Sequence, residues 1–360
     1  MLVVTTAFLV SVATAAEEIV VNVYNWSDYI AEDTLAKFEA ETGIKVVYDV
    51  FDSNEVVETK LLSGGSGFDI VVPSDSFLAK QIQAGVHQKL DRSKLTNYGN
   101  LDPELMKMLG GYVDVGNQHA VPYMWGTNGI GFNVKKIQEI LGEDAPVDSW
   151  DLLFKPENIS KLSACGVSML DSAAEVFPLV FNYLGIDPNS QNPEDYTKTA
   201  YELISKIRPH ITYFHSSKYI NDLANGDICV AVGYSGDIIQ AMDRAAEADN
   251  GVEIVYVIPK EGTMLWFDMM AIPKDAPHPG NAHKFINFIL QPQIAADITN
   301  YVWYANPNLA SNPMIDPEIL EDTSIYPDEE TKKNLFLTKP WPPKISRIAN
   351  RTFTKIKTGK

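Results

Sequence analysis

The sequence predicts an α/β protein of two lobes, each a mostly parallel sheet flanked by helices. In residues 19–84, short apolar runs typical of strands alternate with helical patterns, as they do in parallel βαβ units. A glycine-containing extended run at 121–134 is suited to cross between lobes, and a second α/β set follows it. With 360 residues, 45% of them hydrophobic, the chain is long enough to form two cores.

The N-terminal part is predicted to contain three strands, each followed by a helix. Apolar residues at helical spacing mark the helices, and Gly43 ends the first of them. The run 52–55 has the spacing of a capping box and precedes the second helix. The predicted strands are 19–24, 44–50 and 69–73, and the predicted helices are 34–41, 56–62 and 77–84.

The second part of the chain continues the alternation of helices and strands. The predicted helices are 175–184, 193–206, 218–225, 237–248, 282–290, 293–300 and 345–356, and the predicted strands are 228–232, 252–258 and 268–273. No composition break marks a linker, which fits two lobes joined by several crossings and a hinge. We expect lobe 1 to comprise 17–125 and about 260–306, and lobe 2 to comprise 126–259 and the irregular, proline-rich end at about 307–360.

The chain is acidic, because 47 Asp and Glu residues against 29 Lys and Arg give a formal net charge of −18. Nucleic-acid phosphates favour clustered basic residues, so we expect no nucleic-acid partner. The charge would attract cationic ligands towards the protein. Solubility alone is a simpler explanation of an acidic surface, so the charge by itself does not identify a ligand.

The first residues have the pattern of an export signal. Residues 2–16 are apolar or small and end in an Ala-Thr-Ala-Ala run suited to cleavage, although the usual basic start is missing. We therefore expect a signal peptide at 1–16 and a mature protein that begins near Glu17 in an oxidising compartment. In that compartment the two cysteines, Cys165 and Cys229, favour a disulfide, with two separately buried thiols as the alternative.

An aromatic ring and a carboxylate stand together at three places in the sequence, twice just after a predicted strand and once where a predicted strand begins. Trp26 and Asp28 follow the strand 19–24, and the segments 234–237 and 266–268 repeat the pairing. In open α/β sheets the ligand crevice lies outside the carboxyl ends of the strands, so these pairs are expected to converge. Carboxylates would neutralise an organic cation there, and ring faces attract ammonium groups. The pattern predicts binding of an organic cation rather than catalysis.

Each of these residues also has a structural explanation. The tryptophans could be ordinary core aromatics, and Asp28 and Asp237 could cap the helices that follow them. Glu175, near a predicted helix start, could complement the helix dipole. Asp268 is harder to explain in this way, because an acid inside an apolar strand needs a partner. The argument for a site therefore depends on the whole set of residues.

Three longer segments, 21–30, 67–74 and 216–227, are similar to the periplasmic polyamine-binding proteins of bacterial ABC importers, most closely to the putrescine-binding branch. The resemblance runs through nearly the whole mature chain. It implies a type II solute-binding fold that closes on its ligand and presents it to a permease in the inner membrane. It also implies a monomeric, periplasmic receptor. We expect no cofactor and no metal site, since the six histidines are scattered and no motif has the spacing of metal ligands.

The resemblance further implies a set of ligand contacts from both lobes. Carried over position by position, they are Trp26, Ser27, Asp28, Tyr29, Ser74, Glu175, Ser216, Tyr234, Asp237, Trp266, Asp268 and Tyr304, with Asp75 and Ser172 as further candidates. Protonated amines buried there need charge partners. We expect Asp237 and Asp268 at one nitrogen, and Asp28 or Glu175 towards the others. The serines would accept hydrogen bonds from ammonium protons.

Three departures from the putrescine-binding pattern bear on the choice of ligand. Tyr234 replaces a tryptophan, Trp266 stands where spermidine binders tend to carry tryptophan and putrescine binders phenylalanine, and Asp75 adds a carboxylate. The last two favour a longer, triply charged ligand, so we expect spermidine first and putrescine second. A polyamine sensor that reports to a signalling partner is another hypothesis. A secreted hydrolase that uses the cleft carboxylates is a third, but it lacks a recognisable acid–base pattern.

Overall fold

The computed structural model describes residues 19–359, so the predicted signal peptide lies outside the described residues. The strands are β1 Val20–Trp26, β2 Lys45–Phe51, β3 Ile70–Val71, β4 Ala120–Asn133, β5 Val167–Met169, β6 Tyr213–Phe214, β7 Val230–Tyr234, β8 Ile254–Val257 and β9 Leu265–Ala271. The helices are α1 Thr34–Thr42, α2 Asn54–Leu62, α3 Asp75–Gln83, α4 Pro103–Tyr112, α5 Val134–Leu141, α6 Asp151–Phe154, α7 Pro156–Leu162, α8 Ala173–Tyr183, α9 Tyr201–Ile207, α10 Tyr219–Ala224, α11 Ser235–Ala248, α12 Pro279–Ile289, α13 Pro292–Val302, α14 Pro317–Leu320, α15 Glu329–Lys332 and α16 Pro343–Thr358. None of the helices in this part of the chain is long and apolar enough to cross a membrane.

The strands form two sheets that share β4. In the first sheet, β1 pairs in parallel with β2 and β3, and β9 lies antiparallel between β3 and β4. In the second sheet, β4 lies antiparallel to β7 and β8, and β5 pairs in parallel with β6 and β7. Helices flank both sheets, which confirms the predicted α/β fold. Each sheet is mixed rather than mostly parallel, because the chain crosses between the lobes along β4 and returns in the opposite direction before β9.

β4 is a buried strand that passes through both sheets. Its residues 120–127 pair with β9, and 128–133 pair with β7 and β8. The sequence predicted a crossing here with glycines as turning points, but the strand continues through them. The glycines allow close packing instead: a Cβ atom at Gly126 would lie 2.7 Å from the Ser235 hydroxyl oxygen and 2.9 Å from the Trp266 ring.

The end of the chain packs beside both sheets. The Asp102 N–H donates a hydrogen bond to the Pro307 carbonyl at 2.8 Å. The rings of Trp125 and Tyr326 lie 5.7 Å apart, so the segment 307–326 packs beside the first sheet. Helix α16 packs against α8 and α9, beside the second sheet. We therefore propose that the last crossing follows Tyr326, rather than lying near Pro307 as the sequence predicted.

The two cysteines form the predicted disulfide. The Cα atoms of Cys165 and Cys229 are 5.4 Å apart. The two residues lie shortly before β5 and β7, which are neighbours in the second sheet. The bond therefore lies within the second lobe and does not tie the lobes together.

Candidate ligand-binding site

A cavity lies where strand ends from both sheets meet. β1 and β7 end at Trp26 and Tyr234, while β9, antiparallel to β3, begins with Leu265 and Trp266 at the same edge. Two of the three predicted pairs of ring and carboxylate therefore line one cleft, together with the ring of the first pair, Trp26. The cavity between them has a volume of about 650 Å³, including its open part, which is typical of small-molecule sites.

Most of the predicted contact residues line this cavity. They are Trp26, Ser27, Tyr29, Ser74, Asp75, Glu175, Ser216, Tyr234, Asp237, Trp266, Asp268 and Tyr304. Asp28 is outside the lining: it has a positive φ of 53°, and its carboxylate pairs with Arg244 Nη2 at 2.8 Å. Ser172 is also outside the lining, and its hydroxyl donates to Glu55 Oε1 at 3.0 Å. Both of these contacts join the first lobe to the second.

Asp268 lies in β9 within the cavity wall and is 3% exposed. Its Oδ2 accepts a hydrogen bond from the Tyr29 hydroxyl at 2.9 Å, and its Oδ1 accepts one from the Ser74 hydroxyl at 2.6 Å. Asn54 holds Ser74 in turn, since its amide donates to the Ser74 hydroxyl at 3.0 Å and accepts from the Ser74 N–H at 2.9 Å. These bonds fix the carboxylate and leave lone pairs for a ligand.

Asp237 lies in the first turn of α11, close enough to Asp268 for the two charges to interact. Its Oδ1 and Oδ2 accept hydrogen bonds from the hydroxyls of Tyr304 and Tyr219, at 2.7 Å each. The Tyr304 oxygen also accepts the Asp237 N–H at 3.0 Å, so the carboxylate faces tyrosines instead of capping the helix. We call the part of the cavity formed by Asp237 and Asp268 the paired end.

The remaining buried carboxyls of the lining are Glu175 and Asp75, and we call the part of the cavity that they line the far end, although each is close enough to Asp268 for the charges to interact. Glu175 is 7% exposed and accepts from the Tyr234 hydroxyl at 2.9 Å through Oε1. Asp75 is 2% exposed and accepts from the Ser76 N–H at 2.7 Å through Oδ1. The second oxygen of each carboxyl is buried and makes no hydrogen bond within residues 19–359. The far end therefore has two buried acceptor oxygens for which the described part of the chain supplies no donor.

Burial raises the pKa of all four carboxyls, because it disfavours the charged form. The pKa rises to about 7 for Asp237 and Asp268, and to about 8 for Asp75 and Glu175. Hydrogen bonds from tyrosine and serine hydroxyls oppose the rise at the paired end. Protons therefore occupy part of these sites near neutral pH, and an entering cation would displace them.

Aromatic rings form walls of the cavity. The ring centroids of Tyr234 and Trp266 are 5.7 Å apart, and those of Trp266 and Tyr304 are 5.5 Å apart, in edge-on contacts. Trp26 is fixed by its indole N–H, which donates to the Val72 carbonyl at 2.9 Å. Such rings can cover methylene groups and attract ammonium groups through their faces.

The structure adds residues that the sequence analysis missed. The additional lining residues are Phe51, Asp52, Asn54, Ser76, Phe77, Ala174, Ser217, Met264 and Thr338. Asn54 belongs to the run that resembled a capping box, which explains why its support of Ser74 was overlooked. Tyr219, a donor to Asp237, lies at the start of α10 without any local pattern that indicates this contact. Only the packing of distant segments reveals these roles.

Comparison with known proteins supports a binding protein. The chain matches the family model of bacterial extracellular solute-binding proteins over residues 33–325. It is 56% identical over 352 residues to the putrescine-binding periplasmic protein PotF of Escherichia coli strain K12, which covers 98% of this chain and 95% of that relative. It is 59% identical over 348 residues to the putrescine-binding periplasmic protein SpuD of Pseudomonas aeruginosa, with 97% and 94% covered.

A solved structure agrees with these relatives. The spermidine/putrescine ABC transporter substrate-binding protein of Streptococcus pneumoniae matches with a TM-score of 0.75 and 32% identity, over 94% of this chain and 98% of that one. These relatives are named as binding proteins and not as enzymes, which confirms the predicted family and the prediction of binding without catalysis. The chain therefore belongs to the bacterial extracellular solute-binding protein family, in the same group as the periplasmic polyamine-binding proteins.

Proposed function

We propose that this protein is a periplasmic receptor for polyamines, which it binds in the cavity between its lobes. The composition of the described lining carries the proposal: it contains Asp52, Asp75, Glu175, Asp237 and Asp268, and no Lys, Arg or His. A ligand with its own carboxylate would meet only like charges there, so amino acids are poor candidates. Ammonium groups would supply the partners that the buried carboxyls need.

The arrangement of acids and rings fits an alkyl chain with several positive charges. One ammonium group would lie at the paired end, between Asp237 and Asp268, and another would lie at the far end, near Glu175. The rings of Trp26 and Trp266 would cover methylene groups of the chain. Inorganic cations such as calcium prefer a shell of oxygen ligands and would gain little from such rings.

We propose spermidine as the preferred ligand and putrescine as the second choice. The relatives PotF and SpuD are named for putrescine, which favours the reverse order. Two residues support spermidine. The wide ring of Trp266 covers more of an alkyl chain than a phenylalanine would, and Asp75 adds a buried carboxyl to those that a diamine needs.

We further propose that the receptor delivers its ligand to the permease of an ABC importer. The names of the relatives, which are periplasmic binding proteins and an ABC transporter subunit, support this role. A ligand that contacts both lobes would favour the closed form over the open one. We expect a monomeric receptor.

A polyamine sensor would use the same cavity. The two roles, delivery to an importer and sensing, would be distinguished by testing whether the ligand-bound protein stimulates the ATPase of the reconstituted importer.

Calorimetric titration of the ligand-free mature protein tests the proposed ligand class. We expect one-to-one binding of spermidine, with weaker binding of putrescine. The matched control is 4-aminobutyrate, which carries a carboxylate in place of one ammonium group of putrescine, and we expect it not to bind. Tighter binding of putrescine would reverse the preference and keep the receptor. An absence of binding by putrescine, cadaverine, spermidine and spermine would overturn the proposal.

A further inference from the structure

A second cavity adjoins the far end of the first. It has a volume of about 530 Å³, including its open part, and four residues line both cavities: Ser76, Phe77, Ala174 and Thr338. Asp75 precedes the first of these residues in the chain, and Glu175 follows the third. The junction between the two cavities therefore lies beside Asp75 and Glu175, at the far end.

Glu55 lines the second cavity, and the function proposed above assigns it no role. It lies in α2, beside the first sheet, and its Oε1 accepts the hydroxyl of Ser172, which directly precedes α8 in the second lobe. Its Oε2 is buried and makes no hydrogen bond within the described chain. Burial raises the pKa of both Glu55 and Glu175, and the charge of Glu55 adds to the rise at Glu175. The two carboxyls are therefore near neighbours.

The other acids around Glu55 already have cationic partners. Glu58, one turn along α2, pairs with Lys80 at 2.8 Å, and Asp171 pairs with Lys357. Glu55 forms no ion pair of this kind within residues 19–359. A buried carboxylate without a cation is costly, so a ligand that brings a positive charge to Glu55 would stabilise the structure.

We propose that Glu55 and Glu175 hold one ammonium group between them, as a third cation position of the polyamine site. The inference rests on the proposed function. A diamine would place its two ammonium groups at the paired end and on the side of Glu175 that faces the first cavity, which leaves Glu55 without a cation. The third ammonium of a triamine would reach the junction of the cavities, where one buried oxygen of Glu55 and one of Glu175 have no partner among the described residues. Glu55 is then a residue that selects a triamine over a diamine.

The substitution Glu55→Gln tests this role, because glutamine keeps the size of the side chain and an oxygen that can accept from Ser172. We expect the affinity for spermidine to fall about tenfold or more, equivalent to about 1.4 kcal/mol. The affinity for putrescine should change by less than about threefold, which also shows that the variant is folded. Glu58→Gln is the matched control, and we expect it to leave the ratio of the two affinities unchanged.

Counting the protons released on binding gives a second readout, which a purely structural role would not change. Calorimetry in two buffers with different ionisation enthalpies measures this number. Wild-type protein should release more protons with spermidine than with putrescine, and Glu55→Gln should remove the difference. If Glu55→Gln weakens both ligands equally, or leaves the affinity for spermidine unchanged, the proposal of a third cation position at Glu55 is wrong. A wild-type protein that binds no polyamine would instead overturn the proposed function.

Discussion

Both ends of the cavity contain buried carboxyl groups, but the hydrogen bonds to these groups differ between the two ends. At the paired end, each oxygen of Asp237 and Asp268 accepts a hydrogen bond from a hydroxyl group. At the far end, Asp75, Glu175 and the neighbouring Glu55 each keep one buried oxygen that has no hydrogen-bond partner among residues 19–359. An unsatisfied buried polar atom costs about 1–3 kcal/mol. A bound cation should therefore stabilise the far end more than it stabilises the paired end.

This difference predicts that the paired end contributes to the affinity for every polyamine and that the far end determines the selectivity among them. The hydroxyl groups hold the paired end in place before any ligand enters, and it would receive the ammonium group that every polyamine has. The far end is completed only by the ligand, so the number of charges that reach it would decide which polyamine binds best. Changes at the paired end should therefore weaken all polyamines alike, whereas changes at the far end should weaken them unequally.

Asp268→Asn is expected to have the largest effect. It removes a charge from the paired end, and the loss of one partner of a buried ion pair costs about 3–5 kcal/mol. We expect the affinities for putrescine and spermidine both to fall by about 100-fold or more in calorimetric titration. Asp52→Asn is the control, since Asp52 lines the same cavity but is exposed. An unchanged affinity in Asp268→Asn would show that the carboxylate is structural.

The affinity should also fall as the pH is lowered from about 8 to about 5. The pKa values of about 7 at the paired end and about 8 at Asp75 and Glu175 mean that protons compete with the ligand in this range. Each displaced proton contributes about a tenfold change in affinity per pH unit below the pKa. Titrations at several pH values measure the slope, which should decrease in Asp268→Asn. A flat profile would contradict proton displacement.

The stability of the ligand-free protein should change with pH in the opposite direction. The pKa values of these carboxyls are raised above the unfolded values of about 3.9–4.3, so the folded state holds more protons than the unfolded chain between about pH 4 and 8. The stability that they contribute at low pH is lost as the pH rises through the folded pKa values. Urea unfolding at pH 5 and pH 8 measures this loss, with Asp268→Asn as the comparison.

Trp266→Phe should have a smaller effect that depends on the ligand. The narrower ring covers less of the alkyl chain, and ring contacts of this kind contribute about 0.5–1.5 kcal/mol. We expect spermidine to lose about threefold to tenfold in affinity and putrescine to lose less. Equal losses in calorimetric titration would remove Trp266 as a reason to prefer spermidine.

The smallest effect is expected at the pair formed by Arg244 and Asp28. Both side chains are partly exposed, and such ion pairs contribute about 0–1 kcal/mol. Arg244→Ala should therefore weaken binding by less than about fivefold, and high salt should reduce the difference. Lys155→Ala is the control, because Lys155 pairs with Asp151 at 2.8 Å within the second lobe. A large loss in Arg244→Ala alone would mean that this contact dominates closure.

The sequence was sufficient to predict the α/β fold and most of the cavity lining. Strands such as β1 and helices such as α1 carry their own periodicity, and the rule for strand ends places Trp26 and Tyr234 in one cleft. Asp268 lies inside β9 and was expected there from the repeated pairing and from the family resemblance. The antiparallel pairs of β4 and β9 could not be predicted, because they depend on how the chain crosses between the lobes. The donor Tyr219 and the junction residue Glu55 were missed for a related reason, since each acts through a segment distant in the chain.

The strand that the two sheets share has a consequence for unfolding. Proteins with two hydrophobic cores often lose them in separate steps. Here β4 is buried along its whole length, with one half in each sheet, so neither sheet can release it without disturbing the other. We therefore expect a single cooperative transition in calorimetry, and a bound ligand would raise the melting temperature of the whole molecule instead of one lobe.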